Sequence, residues 1–211
     1  RLKPDLIVVC GWQRLICKEI LTIPSLGTIG FHSSLLPKYR GRAPVNWAIL
    51  LGERETGITM FYLTPEADTG DIIAQKVFPI LFNDDCGTIY EKAAKAGAEM
   101  IKEYLPQIKN GTAPAIHNPS ASYPAYPKRI PEDGRIDFNR SALDIYNFVR
   151  SLTRPYPGAF YYDEHGHKVI VWRIEIVMDN SRIQPGDILF ETRDYKIRIV
   201  EYNTIDNGTH V

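Results

Sequence analysis

At 211 residues, with 44% apolar and 11% aromatic side chains, the chain can build one generous core or two small ones. Its 25 basic and 25 acidic residues cancel to a formal charge of zero. Net charge therefore gives no reason to seek nucleic acid or an anionic membrane, although a local basic patch can still meet a phosphate.

No run of about 18 apolar residues is present to cross a bilayer, and no charged and then apolar leader precedes a small-residue cleavage site. Cys10, Cys17 and Cys86 lack metal-type CxxC spacing and are too few for a disulfide framework. These features predict a cytoplasmic protein with packed cysteines and no metal centre. The chain opens on Arg1 and reads straight into an apolar strand without a turn or cap, so it is expected to begin inside a domain.

In chain order, the first half alternates short apolar strands with helical stretches, the pattern of an open α/β sheet. Leu6 to Val9 reads as a strand buried on both faces. Lys18 to Ile23 is a short helix stopped by Pro24, and Gly27 to Phe31 the next strand. Pro44 suits a first helical turn, so Val45 to Leu51 should be helical and end at Gly52. Strands Ile58 to Leu63 and Ile72 to Phe78 follow, joined by TPEADTGD. Thr88 and Glu91 have capping-box spacing at the head of the longest helix, which should end near Asn110 and Gly111, with Pro106 able to kink it.

Residues 1 to 113 are thus read as one domain. Five prolines in the 18 residues from 114 to 131 exclude a helix or central strand and are read as a linker. Beyond it, residues 132 to 211 form a second domain. Ser141 and Asp144 open an amphipathic helix with Ile145, Phe148, Val149 and Leu152 on one face. Runs at Ala159 to Tyr162, Lys168 to Val177, Ile188 to Phe190 and Ile197 to Glu201 predict a small β sheet or barrel.

The chemistry concentrates in GFHSSLLPKYRGRAP, residues 30 to 44. His32 stands just past a buried strand, where open α/β sheets place their ligands, and an imidazole titrates near neutrality, which suits acid or base work. The alternative is a histidine packed beneath its loop. Lys38, Arg40 and Arg42 either meet an anionic substrate or lie on a solvated loop. A second polar knot, Glu66-Ala67-Asp68-Thr69-Gly70-Asp71, reads either as an ordinary acidic turn or as the source of a carboxylate that, beside His32, would favour the charged imidazole.

The string HSSLLPKYRGRAPVNWAILLGERETGIT, followed by ADTGDIIAQ and later by PYPGAFYY, resembles the formyltetrahydrofolate-dependent formyltransferase family over nearly the whole chain. In wording it is most similar to the branch acting on UDP-4-amino-4-deoxy-L-arabinose, through KYRGRAP and the Asn46-Trp47 pair, and it is also similar to methionyl-tRNA formyltransferase. The resemblance implies a Rossmann-like open sheet followed by a small OB-like β domain. It also implies 10-formyltetrahydrofolate as co-substrate and attack by a primary amine on the formyl carbon.

The family motif places an Asp 36 positions after a His, and Asp68 stands 36 after His32. By that resemblance His32 handles the proton of the attacking amine while Asp68 favours its charged form and orients it. Folate contacts map onto Arg14, Leu15 and Ile16, onto Arg42, and onto the turn Thr64, Pro65, Glu66, Ala67 and Asp68. Core packing is the other reading of Leu15 and Ile16.

Two features depart from the family. Its asparagine falls at Gly30, which has no side chain to donate to an oxyanion, and such donors are typically worth about 100 to 1000-fold in rate. The strands that usually precede KPDLIVV are also not in the chain. The expectation is a partial sequence, or an assembly, a homo-oligomer among the options, in which something else covers the surface they would leave.

Three readings follow. The first is an enzyme that formylates an amino sugar carried on a nucleotide. The second is a transferase acting on initiator tRNA, for which the mixed charges after Lys128 give little help. The third is a folate- or nucleotide-sugar-binding relative without transferase activity, motivated by Gly30.

Overall fold

The computed structural model describes residues 2–12, 14–119 and 123–205. The chain divides into two compact units. One comprises Arg1–Ala48, Arg54–Ile80 and Ile89–Lys128; the other comprises Ile49–Glu53, Leu81–Thr88 and Arg129–Val211. Among the described residues no helix is long and apolar enough to cross a membrane.

The first unit is built on a four-stranded sheet of β1 (Ile7–Val9), β2 (Thr28–His32), β3 (Glu55–Tyr62) and β4 (Ile72–Pro79), in that spatial order. β1 and β2 are parallel, whereas β2–β3 and β3–β4 are antiparallel. The expected open α/β sheet is therefore a mixed one, with a single parallel pair.

Two short helices, α1 (Lys18–Leu21) and α2 (Pro44–Leu50), flank β2 in sequence, and α3 (Cys86–Lys109) follows β4. α1 ends at Leu21, two residues before the expected Ile23; the Thr22 amide donates to Lys18 O and the Ile23 amide to Ile20 O, both at 3.1 Å.

Side chains alternate across a strand, and β2 uses both faces. Ile29 and Phe31 pack with Ile58, Met60, Ile73 and the face of α3 formed by Ala93, Ala96 and Met100. Gly97 lets that helix approach closely, because a β-carbon there would lie 3.2 Å from Ile58. Gly30 and His32 consequently point to the opposite face, where Leu36, Phe61 and Ile72 form a smaller cluster with Leu63.

β1 departs from the expected burial on both faces, since Val8 is 43% exposed. Among the described residues its hydrogen-bonded neighbour is β2. An apolar run says that a strand can be buried, but not how many neighbours it has.

α3 also begins earlier than its local signal. Asp85 rather than Thr88 caps it: the Thr88 amide donates to Asp85 Oδ1 at 2.9 Å, and the Asp85 amide donates back to Thr88 Oγ1 at 2.9 Å. Thr88 thus takes the N3 position of a capping box and is not its head. The helix runs through Pro106 to Lys109, one residue short of the expected end.

The second unit packs α4 (Ala142–Leu152) against a sheet of β5 (Ala159–Tyr162), β6 (Lys168–Val177), β7 (Ile188–Glu191) and β8 (Lys196–Ile205), ordered β5-β6-β8-β7 and antiparallel throughout. Ser141 caps α4 by accepting from the Asp144 amide, as its spacing predicted.

Ile145, Val149 and Leu152 join Val169, Val171, Ile174, Ile197 and Ile199 in the core. The buried set on β6 changes phase between Val171 and Ile174 because a bulge around Arg173 inserts a residue there. Cys86 lies buried, donates its thiol to the Thr153 carbonyl, and is pushed up to about 12 by burial. It is a packing residue and not a thiolate nucleophile. Cys10 and Cys17 are exposed rather than packed.

Candidate active site

His32 ends β2, opposite Thr59 of β3, and is 9% exposed. Its Nε2 lies 2.9 Å from the Tyr39 carbonyl. A carbonyl only accepts, so Nε2 carries a proton and Nδ1 is the nitrogen left to exchange one. Nδ1 faces Asp68 Oδ1 at 3.5 Å. The second oxygen, Oδ2, accepts the Gly41 amide at 2.9 Å. Each group of the pair is thus held by a backbone partner from the loop between β2 and α2.

That loop is tied down by polar side chains of the sheet, of which Thr59 is buried. The Thr59 hydroxyl donates to Ser34 O at 2.7 Å and accepts from the Leu36 amide at 3.0 Å. Gln75 Nε2 reaches both Leu36 O and Thr59 Oγ1, at 2.8 and 2.9 Å. Tyr39 and Ala43 take left-handed backbone, with φ of 57° and 53°, and Gly41 sits at 102°.

The far side of the loop meets the proline-rich segment. Gly41 pairs with Tyr126: the Tyr126 amide donates to Arg40 O at 2.7 Å and the Arg42 amide to Tyr126 O at 3.1 Å. A β-carbon at Gly41 would lie 2.7 Å from that oxygen, so only glycine fits. The Tyr126 ring stands 5.0 Å from Tyr39 and 5.3 Å from Trp47, in tilted contacts.

The turn carrying Asp68 is a compact knot. Thr64 Oγ1 donates to Glu66 O, and the Thr64 and Thr69 hydroxyls lie 2.6 Å apart. Arg40 Nε donates to Ala67 O at 3.1 Å, so this arginine braces the turn. Asp68 adopts φ 57°. Gly70 follows where a β-carbon would fall 1.7 Å from Tyr62 O. Gly70→Ala is therefore expected to destabilise the chain by roughly 3 kcal/mol or more, because a backbone oxygen cannot step aside. Denaturant unfolding of the variant measures it.

The structure brings together His32, Asp68, Arg40 and the turn from Thr64. Gly30 lies on the same face of β2, its β-carbon position 2.8 Å from Leu63. Arg14 and Leu15 are exposed, Leu15 to 70%, and Ile16 is half-buried, so core packing does not account for Leu15. They follow β1, whose Val9 pairs with Gly30, so they leave the sheet at the end where His32 sits. Arg42 is exposed. Lys38 Nζ lies 5.2 Å from the Tyr39 ring.

Sequence reasoning did not find Thr59, Gln75, Asn118 or Tyr126. The first two had a signal, as polar residues inside apolar strands; the others had none. Among the described residues no three His, Cys, Asp or Glu side chains gather to hold a metal ion.

A mixed α/β sheet bearing a His–Asp pair, the histidine buried, at one strand end and followed by an antiparallel β unit, defines the class. The Formyl transferase model matches residues 1–105, and the Formyl transferase, C-terminal domain model matches residues 128–202. The chain belongs to the formyl transferase family.

It is 38% identical over 189 residues to the bifunctional polymyxin resistance protein ArnA of Wigglesworthia glossinidia brevipalpis, covering 90% of this chain and 29% of that protein. It is 38% identical over 196 residues to methionyl-tRNA formyltransferase of Pelotomaculum thermopropionicum, covering 92% of this chain and 61% of that protein. It therefore spans less than two thirds of either relative.

Among solved structures, HypX of Aquifex aeolicus with tetrahydrofolic acid superposes with a TM-score of 0.78 at 24% identity, over 97% of this chain and 36% of that one. An N-formyltransferase of Helicobacter canadensis, solved with folinic acid and dTDP-3-aminofucose, gives 0.72 at 21%, over 89% and 70%. At these identities the two structures speak for the fold alone.

Proposed function

We propose that the chain transfers a formyl group from 10-formyltetrahydrofolate to the primary amine of a nucleotide-linked amino sugar. The observation that carries this reading is the convergence of His32 and Asp68, 36 positions apart in sequence, to 3.5 Å in a chain of this family. The donor supplies an electrophilic formyl carbon, which the amine takes as tetrahydrofolate leaves.

Nδ1 of His32 accepts the proton shed by the amine and passes it to N10 of the departing tetrahydrofolate, while Asp68 stabilises the imidazolium in between. By the family resemblance the folate is met by the turn Thr64 to Ala67, which is exposed, with Arg14 to Ile16 and Arg42 as further contacts. At Gly30 the chain lacks a side-chain donor for a developing oxyanion.

The division into a catalytic domain over residues 1–113, a linker over 114–131 and a C-terminal domain over 132–211 belongs to this proposal, as does a cytoplasmic setting. The amino-sugar acceptor is supported by the neutral overall charge, and the fold is one that also occurs in an enzyme solved with dTDP-3-aminofucose. Initiator tRNA is the second reading, favoured by the methionyl-tRNA formyltransferase relative.

A thermal-shift panel separates them. An amino-sugar nucleotide at about 100 times its Kd should stabilise the chain by about 2.7 kcal/mol, a rise of roughly 5 to 10 °C for a chain of this size. Stabilisation by initiator tRNA alone would overturn the sugar assignment.

A further inference from the structure

We propose that Asn118 is a positioning residue for this site: it clamps the backbone on both sides of Thr69 and so holds the Asp68 carboxylate against Gly41 and His32. The inference rests on reading His32 and Asp68 as the proton-handling pair.

Asn118 is 2% exposed. Its Nδ2 donates to Asp68 O at 3.0 Å and to Gly70 O at 3.2 Å. Both partners are carbonyls, which only accept, so the amide nitrogen is the atom that must face them. Asp68 needs such a clamp, because its φ of 57° is a conformation that a residue with a β-carbon keeps only when its surroundings enforce it.

The turn closes onto functional atoms. With its backbone fixed, Asp68 places Oδ2 at 2.9 Å from the Gly41 amide and Oδ1 at 3.5 Å from His32 Nδ1. Asn118 is itself placed by backbone: two residues earlier, Ile116 exchanges a pair of 2.8 Å hydrogen bonds with Ile72, at the start of β4.

The other end of the side chain points to the same role. Asn118 Oδ1 is buried and accepts no hydrogen bond from the described residues. A leucine of similar volume would fill the space without an orphaned oxygen, so core packing does not explain the amide. Its two donors to the Asp68 turn do. Asn118 touches neither His32 nor the Asp68 carboxylate and acts through the turn that carries it.

Asn118→Leu keeps the shape and removes both donors. The Gly41 amide, whose acceptor is the Asp68 carboxylate, should then exchange with solvent at least about tenfold faster, while amides along Ile89 to Met100 keep their protection. In formyl transfer, kcat should fall by about tenfold or more with the KM for the amine little changed. In an Asp68→Asn background the same substitution should cost about twofold or less, because the carboxylate it positions is already gone.

Unchanged Gly41 protection overturns the proposal, and so does an equal kcat loss in both backgrounds, the mark of a merely structural residue. If Gly41 exchange quickens but the parent chain formylates no amine, the transfer reading fails while the positioning of Asp68 stands. Should Asn118→Leu not fold, Asn118→Ala is read by the same amide exchange.

Discussion

His32→Ala is expected to lower formyl-transfer turnover by roughly 10²- to 10⁴-fold while the chain remains folded. Nδ1 of the imidazole faces the half-buried carboxylate at 3.5 Å, and Nε2 is committed to Tyr39 O at 2.9 Å. Removing the ring takes away the proton acceptor and leaves Asp68 facing a methyl group.

The Tyr39 carbonyl also loses its donor, a stability cost of about 1 to 3 kcal/mol. That is less than the total stability of roughly 5 to 15 kcal/mol of an ordinary domain. Circular dichroism and a thermal melt check the folding, and single-turnover release of tetrahydrofolate checks the chemistry. A folded His32→Ala protein that retains turnover removes His32 from its role. Asp68→Asn should cost less alone and add little to His32→Ala, since groups acting as one unit are not additive.

The sequence made the pair legible because the spacing of His32 and Asp68 belongs to a motif, and because a histidine beyond an apolar strand stands where sheets bind ligands. The strands were legible for a simpler reason: apolar runs between turn residues define them, and Ala159–Tyr162 and Lys168–Val177 have the observed bounds.

What holds the pair was not legible. Asn118 reaches Asp68 across 50 positions, Gln75 reaches Leu36 across 39, and Tyr126 pairs with Gly41 from a proline-rich stretch that reads as a plain tether. Local patterns report neighbours on one helix or strand, and none of these partners is local. The capping of α3 failed for a related reason. Asp85 and Thr88 and the pair Thr88 and Glu91 both fit the spacing, and only the backbone geometry chooses between them.

Gly30→Asn combined with Leu63→Ala should raise turnover by about 100- to 1000-fold, whereas Gly30→Asn alone should not. The resemblance places a donor asparagine at this position, and one preorganised donor to an oxyanion is worth about that factor. The backbone at Gly30 lies in β2, paired with Val9 and Phe61, and needs no glycine for its conformation.

What needs glycine is the neighbouring side chain. A β-carbon at position 30 would stand 2.8, 3.2 and 3.3 Å from Leu63 Cδ2, Cγ and Cδ1. The isobutyl group of Leu63 fills the space a longer side chain would use, two residues before His32 on the same face of the strand. Asparagine alone must push it aside, an overpacking cost of about 1 to 3 kcal/mol that also leaves the new amide poorly aimed.

Leu63 is half-buried and its amide donates to Thr28 O at 2.8 Å. Truncation to alanine therefore keeps the backbone bond and opens the room. Amine-dependent tetrahydrofolate release, measured for the parent, both single variants and the pair, reads the outcome as a cycle. If the folded double variant binds folate and gains nothing, the missing donor is not what limits this chain, and the reading as a binding relative without transferase activity gains the ground that formyl transfer loses.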